Sequence, residues 1–307
     1  MPVLDTIGRT TLLPLQHIVP DESARVLLKL ELQNPTGSMK DRMALAMVEA
    51  AAADGRLRPG GSVVEYTGGS TGVSLAFVCA AKRIPLEIVT SEAFSKEKRD
   101  HMKALGARLT LVPSPTGGTT KALTLEMIET ARRLASAPGC CWTDQLNNTD
   151  QLASYERMGE EIWEQTRGRV SAFVQSVGTA GSLRGIASRL RLHDEAVHIV
   201  AVEPEESAVL SGGQSGSHKI EGTGVGFIVP LWTGTLANEI QTISTQEAMA
   251  TARRLARQEG IFAGTSTGAN VAVALRVAER LGPDHTVITV AVDSGMKYLS
   301  TVLYAQT

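Results

Sequence analysis

"GGSVVEYTGGSTGVSLAFVCAAKRIPLEIVT", residues 60–90, decides the fold class. The run 60–67 reads as a strand, 72–83 as a helix and 85–90 as a second strand. Their apolar residues stand at neighbouring rather than alternate positions (Val63–Val64, Ile88–Val89), the pattern of a strand buried on both faces. Two such strands with a helix between them make a βαβ unit, whose strands lie parallel in one sheet.

The same alternation runs outward in both directions. Toward the C-terminus the spacing predicts a helix over 95–106, a strand over 107–113, a helix over 119–137 and a strand over 140–145. The second half repeats the plan: strand 170–178, helix 183–192, strand 198–204, helices 245–260 and 268–282, and strand 286–293. The least regular stretch is 206–235, rich in Gly and Ser, and loops that long inside a domain are usually functional or mobile. No repeat, heptad pattern or low-complexity linker interrupts the chain. The expected class is α/β, with parallel sheets covered by helices.

Composition narrows the function. Lys plus Arg is 30 and Asp plus Glu is 32, a formal net charge of −2, so no basic excess is available for a nucleic-acid backbone. The cysteines are Cys79, Cys140 and Cys141, an odd number with two adjacent, and the six histidines show no metal-type spacing. No metal is expected. "MPVLDTIGRTTLLPL" lacks the pattern of a signal peptide, and no apolar run reaches membrane-spanning length. The expected localisation is cytoplasmic, with neither nucleic acid nor membrane as partner.

Ligands of doubly wound sheets bind where strand ends feed helix N-termini. Three junctions there carry glycines and hydroxyls. In "YTGGSTGVSL" (66–75), Thr67, Ser70 and Thr71 offer hydroxyls while Gly68, Gly69 and Gly72 bare backbone N–H groups, which suits a carboxylate. In "SVGTAGSLRG" (176–185), Gly178, Thr179, Ala180, Gly181 and Ser182 form a cradle suited to a phosphate. It has neither the P-loop lysine nor the full dinucleotide fingerprint. In "FAGTSTGANVAVAL" (262–275), Ser266 and Thr267 precede a helix. A fourth feature is Lys40 in "QNPTGSMKDRMALAM", just after a turn and just before a long apolar helix. A lysine there can point into a cleft, where the positive helix end and poor solvation favour the nucleophilic amine.

A phosphate cradle, a carboxylate loop, a hydroxyl pair and a Schiff-base lysine are the parts of a pyridoxal 5′-phosphate site. From "LDTIGRTTLLPL" through "NPTGSMKDR", "TGGSTG", "GTAGS", "HKIEGTGVGF" and "GTSTGA" to "DSGMKYLST", the chain resembles the cysteine synthase and cystathionine β-synthase family, the fold type II pyridoxal-phosphate enzymes. That resemblance implies two open, mostly parallel sheets, each covered by helices, with the cofactor in the cleft between an N-terminal domain (1–145) and a C-terminal domain (146–307). It implies that roughly the first 35 residues pack on the second domain, and that the protein is a homodimer.

The resemblance also assigns roles. Lys40 is implied as the residue that binds the cofactor and later moves the α-proton. Gly178, Thr179, Ala180, Gly181 and Ser182 look like the phosphate cup, with Ala180 where the family usually has glycine, acceptable there if its φ is negative. Ser266 is similar to the serine that meets the pyridine nitrogen. Thr67, Gly68, Gly69, Ser70, Thr71 and Gln145 resemble the carboxylate-binding set. Gly68 stands where a serine is usual, which is expected to add space, and Ser70 where an asparagine reaches the cofactor's 3′ oxygen. "NNTDQ" differs from the usual Asn-Pro-Ala-Asn, and Met296 and Lys297 stand where Glu-Arg is common.

The implied reaction is β-replacement on an activated serine, O-acetylserine or O-phosphoserine, through an aminoacrylate, with sulfide as nucleophile and cysteine as product. Alternatives on the same scaffold are a different nucleophile (homocysteine or an amine) and β-elimination by a dehydratase. A catalytically silent binding paralogue is the reading from another class. The segment 206–235 is the candidate closing loop.

Overall fold

The computed structural model describes residues 1–115 and 120–305. In chain order the elements are β1 (Leu12–Pro14), β2 (Arg25–Leu30), α1 (Lys40–Ala53), β3 (Ser62–Tyr66), α2 (Ser70–Lys82), β4 (Leu86–Thr90), α3 (Lys96–Ala104), β5 (Arg108–Leu111) and α4 (Lys121–Ala135). Then follow β6 (Cys140–Trp142), α5 (Gln151–Thr166), β7 (Ala172–Ser176), α6 (Gly181–His193), β8 (His198–Pro204), β9 (Glu239–Ile243), α7 (Thr245–Arg254), α8 (Thr265–Leu281) and β10 (Thr286–Ala291).

They form two sheets. The smaller has the order β5-β4-β3-β6 and is parallel throughout, with Val63 opposite Leu86 and Val63 opposite Cys141. The larger has the order β1-β2-β10-β7-β8-β9; only β1, opposite β2, runs antiparallel. The central strands of both are buried along their length, as their mostly apolar, non-alternating sequences require. The α/β class with two mostly parallel, helix-covered sheets is as expected. No helix among the described residues is long and apolar enough to cross a membrane.

Where element bounds differ from expectation, polar side chains explain it. Strand β6 stops at Trp142 rather than running to 145, because Thr143 and Gln145 turn inward to hydrogen-bond Glu65 on β3. The helix expected over 245–260 ends at Arg254 and continues as one π-helical turn, Leu255–Glu259, before Gly260 at φ +69°. The helix expected over 119–137 begins at Lys121, with Thr120 accepting from the Leu123 N–H; Thr119 lies outside the described residues. The sequence reading did not find β1, β2, α5 and β9. Strand β2, "RVLLKL", hides behind Lys29, a lysine with no exposed surface.

Lys29 belongs to a buried ionic cluster that ties β2, α1 and α5 together. Its Nζ bonds Glu161 (2.7 Å) and the Thr10 carbonyl (2.7 Å). Arg42 on α1 grips Glu31 through Nε and Nη2 (2.7 and 2.8 Å) and Glu161 through Nη1 and Nη2 (2.8 and 2.7 Å). Asn34 closes the cluster by donating from Nδ2 to Glu31 (2.7 Å). The segment that leads to Lys40 therefore starts from a fixed point.

Candidate active site

From Asn34 the chain turns through Pro35–Gly37, with Gly37 at φ +70°, a conformation that favours glycine. The Thr36 N–H and hydroxyl donate to the two carboxylate oxygens of Asp41 (2.8 and 2.5 Å), folding the turn back on the first turn of α1. The Met39 N–H donates to the Val292 carbonyl at the end of β10 (2.9 Å). The turn is thus clamped at both ends, and Lys40, the first residue of α1, projects into a cavity of about 140 Å³ between the two sheets. Burial pushes its amine down to about 8; Asp293 opposes that, while Lys297 and Lys98 add to it.

One wall of the cavity is the turn from β3 into α2. Thr67, Gly68, Gly69, Ser70 and Thr71 all line it. The Gly69 N–H donates to Thr67 Oγ1 (3.0 Å), and Thr71 Oγ1 donates to Gln145 Oε1 (2.9 Å). Gln145 is held from behind: its Nε2 donates to the Tyr66 carbonyl (2.7 Å) and its N–H to Glu65 (3.0 Å). Burial raises the Glu65 carboxyl to about 7, although Thr143, Gln145 and Tyr66 all donate to it.

Two sequence expectations are corrected here. Gly68 opens no space: a Cβ there would collide with the Phe94 ring, which fills the place and itself lines the cavity. The Ser70 hydroxyl is turned to the opposite wall, donating to Asp293 Oδ2 (2.8 Å) with Lys297 Nζ 3.4 Å away. Asp293 also accepts from the Tyr298 hydroxyl (2.9 Å), and its Oδ1 is buried without a partner.

The opposite side is the turn from β7 into α6. Gly178, Thr179 and Ser182 line the cavity; Ala180 and Gly181 do not, and sit behind its surface. Ala180 has φ +66°, so the condition under which an alanine is unstrained at this position is not met. A residue with a Cβ there carries a strain of about 1–2 kcal/mol. Gly178 and Gly181 must lack a side chain, since a Cβ on either would collide with the Gly222 carbonyl or the Gln151 amide. The Gln175 Nε2 donates to Ser182 Oγ (2.8 Å). Ser266, in the first turn of α8, completes the lining, whereas Thr267 is a structural cap that accepts from the Val292 N–H (3.0 Å).

The sequence reading missed several residues of the site. Lys98 of α3 is 2% exposed, forms an ion pair with Glu221 of the 206–235 segment (2.5 Å) and lies 4.1 Å from the centre of the Tyr298 ring. Lys98 also packs on Gly69, where a Cβ would come within 2.7 Å of its Cδ. In "SKEKRDHMKALG" nothing in the sequence sets it apart from Lys96 and Lys103. Asp293 stood in a motif that was noted, yet only its burial marks it as part of the site.

Chemically the cavity offers a depressed amine at its centre, a loop of N–H groups and hydroxyls at one side, and the N-terminus of a 13-residue helix with the bare backbone of Gly178 at the other. That donor set fits a small aromatic aldehyde carrying a phosphate, which would place its phosphate on the 178–182 turn and its carbonyl carbon at Lys40.

Comparison with known proteins agrees in scale and in chemistry. Residues 3–293 match the family model described as pyridoxal-phosphate dependent enzyme. A cysteine synthase of Staphylococcus aureus is 40% identical over 305 residues, covering 99% of this chain and 96% of the relative. The solved cysteine synthase of Entamoeba histolytica superposes with a TM-score of 0.91 at 36% identity, covering 99% of this chain and 90% of that one. An O-acetylserine dependent cystathionine β-synthase from Helicobacter pylori gives 0.92 at 32% identity, with 99% and 98% covered.

Proposed function

The chain belongs to the pyridoxal-phosphate dependent enzyme family, and on that premise we propose that it catalyses β-replacement on an activated serine, O-acetylserine or O-phosphoserine, with sulfide as nucleophile and cysteine as product. Its cofactor is pyridoxal 5′-phosphate. The observation that carries the reading is the placement of the Lys40 amine between the 67–71 loop of one sheet and the 178–182 turn of the other.

When bound, the cofactor supplies an electron-withdrawing ring that acidifies the substrate's α-carbon. The rest falls to the protein. Lys40 would hold the cofactor through Nζ, and its amine, depressed to about 8, is suited both to that bond and to taking the α-proton. Gly178, Thr179, Gly181 and Ser182 would hold the phosphate, with Ala180 shaping the turn behind them. Ser266 would face the ring nitrogen, and a hydroxyl there, unlike a carboxylate, would favour loss of a β-substituent over transamination. Thr67, Thr71, Gln145 and the N–H groups of residues 68–70 bind the substrate carboxylate.

Water is kept out by the segment 206–235, closing over the cavity through the Lys98–Glu221 pair. We place the enzyme in the cytoplasm as a homodimer, with its two domains divided at residue 145; light scattering would then give twice 32.6 kDa.

The test is a visible spectrum of the purified protein as O-acetylserine and then sulfide are added. A yellow protein whose band moves with the first and returns with the second supports the reading. A band that ignores O-acetylserine but moves with O-phosphoserine selects that leaving group. A protein that stays colourless with the cofactor supplied sinks it.

A further inference from the structure

We propose that Gln151 is a positioning residue that couples the 178–182 turn to the carboxylate loop, so that occupancy of one strengthens binding at the other; the inference rests on the two binding roles given above. Gln151 is the first residue of α5 and has no exposed surface. Its Nε2 donates to the Gln145 carbonyl (2.7 Å) and to the Asn148 carbonyl (2.8 Å). Its Oε1 accepts from Thr179 Oγ1 (3.1 Å), and the same amide packs against Gly181, where a Cβ would come within 2.2 Å of Oε1.

The orientation of that amide is forced. Backbone carbonyls only accept hydrogen bonds, so the nitrogen must face Gln145 and Asn148 and the oxygen must face Thr179. The Thr179 hydroxyl proton is therefore committed to Gln151. Its oxygen accepts from the Gly181 N–H (3.2 Å). Thr179 then has no proton left for a phosphate, and the donors of the turn are backbone N–H groups and Ser182, which accepts from Gln175 and keeps its own proton. A phosphate that pulls on this turn pulls on Gly181, Thr179 and Gln151 together.

The other end of the line is just as continuous. Gln145, whose carbonyl Gln151 holds, accepts from Thr71 Oγ1 (2.9 Å) and is pinned through its N–H to Glu65 (3.0 Å). Each of the four links from Gly181 N through Thr179, Gln151 and Gln145 to Thr71 is a hydrogen bond between buried or half-buried groups. Buried polar chains of this kind hold both ends rigid only while every member is satisfied. Occupancy of the turn fixes Thr179 and so reduces the freedom that substrate must remove at Thr71 and Gln145. Linkage makes the effect reciprocal.

The test uses two variants that cut the line at different points. Gln151→Asn is one methylene too short to span the two turns. Thr179→Val is isosteric, deletes only the hydroxyl and lies away from the carboxylate loop, so it serves where the first variant folds poorly. Two constants are measured for each protein. Pyridoxal 5′-phosphate is titrated into apoprotein by tryptophan fluorescence, and L-alanine, which has no β-leaving group, is titrated into holoprotein by the shift of the visible band.

Both variants are expected to weaken L-alanine binding about fivefold or more at saturating cofactor, and the double variant to be no worse than the weaker single, because one line can be cut only once. A residue that merely supports the fold would lower the melting temperature and leave the L-alanine constant where it was. A Thr179→Val protein that loses cofactor affinity yet binds L-alanine within twofold of wild type overturns the coupling and leaves the functional reading intact. A wild-type apoprotein that binds no cofactor overturns both.

Discussion

Replacing Arg42 by methionine should destabilise the protein by about 3–5 kcal/mol at neutral pH, the loss found when one partner of a buried ion pair is removed. The structure gives a second route to the magnitude. Burial pulls the Glu161 carboxyl upward, but hydrogen bonds and charge from Arg42, with Lys29 behind them, hold it at about 2 against an ordinary 4.5. At 1.36 kcal/mol per pH unit that difference corresponds to about 3 kcal/mol, shared between Arg42 and Lys29. Because the folded value is depressed, this contribution is complete above the unfolded value and is lost as pH falls from about 4.5 toward 2. By the same linkage roughly 1 kcal/mol of it has gone at pH 3.5. Urea unfolding followed by far-ultraviolet circular dichroism at pH 7 and pH 3.5 measures both quantities. The gap between wild type and Arg42→Met should be about 3 kcal/mol or more at pH 7 and smaller by roughly 1 kcal/mol at pH 3.5. A gap under 1 kcal/mol at pH 7, or one that does not narrow in acid, would refute the reasoning.

Gly68→Ser forces the Phe94 ring out of its seat and should destabilise the protein by about 1–3 kcal/mol. Gly68→Ser with Phe94→Ala should recover most of that loss in the same unfolding assay, and strict additivity would show that the two do not compete for one space. The rate at which apoprotein takes up pyridoxal 5′-phosphate should rise with pH through about 8 as the Lys40 amine loses its proton. Asp293→Asn removes the carboxylate that favours the ammonium form, so stopped-flow traces should place that inflection at lower pH; an inflection near the ordinary lysine value would contradict the assignment. Lys40→Ala should fold, with a wild-type melting curve as apoprotein, and keep no visible band once added cofactor is removed under denaturing conditions, where wild type treated with borohydride keeps a covalent label.

Legibility in the sequence followed the physics of each element. Runs such as "SVVEY" and "LEIVT" are apolar because both faces of the strand are covered, so they announce themselves locally. Strand β2 does not, because the charge of Lys29 is neutralised by Glu161, 132 positions further along the chain. The same division runs through the site. Lys40 and the glycine-rich turns were legible because a turn before a helix has a local signature, and the structure brings them to one cavity. Asp293, Lys98 and Gln151 were not, since each acts through a partner on the other side of the cleft or beyond it. Ala180 is the instructive case between the two. Its place in the turn has a local signature, but the sign of its φ does not, because neighbours set it. In the structure the methyl group is 1% exposed, and its burial offsets part of the strain of the left-handed turn. Strain of that kind persists only where neighbours over-determine the backbone. Here they do: Thr179 is tied to Gln151 on one side of Ala180, and on the other Gly181 donates back to Thr179 and starts α6. The turn keeps its shape because of contacts made by α5, an element the sequence reading did not find.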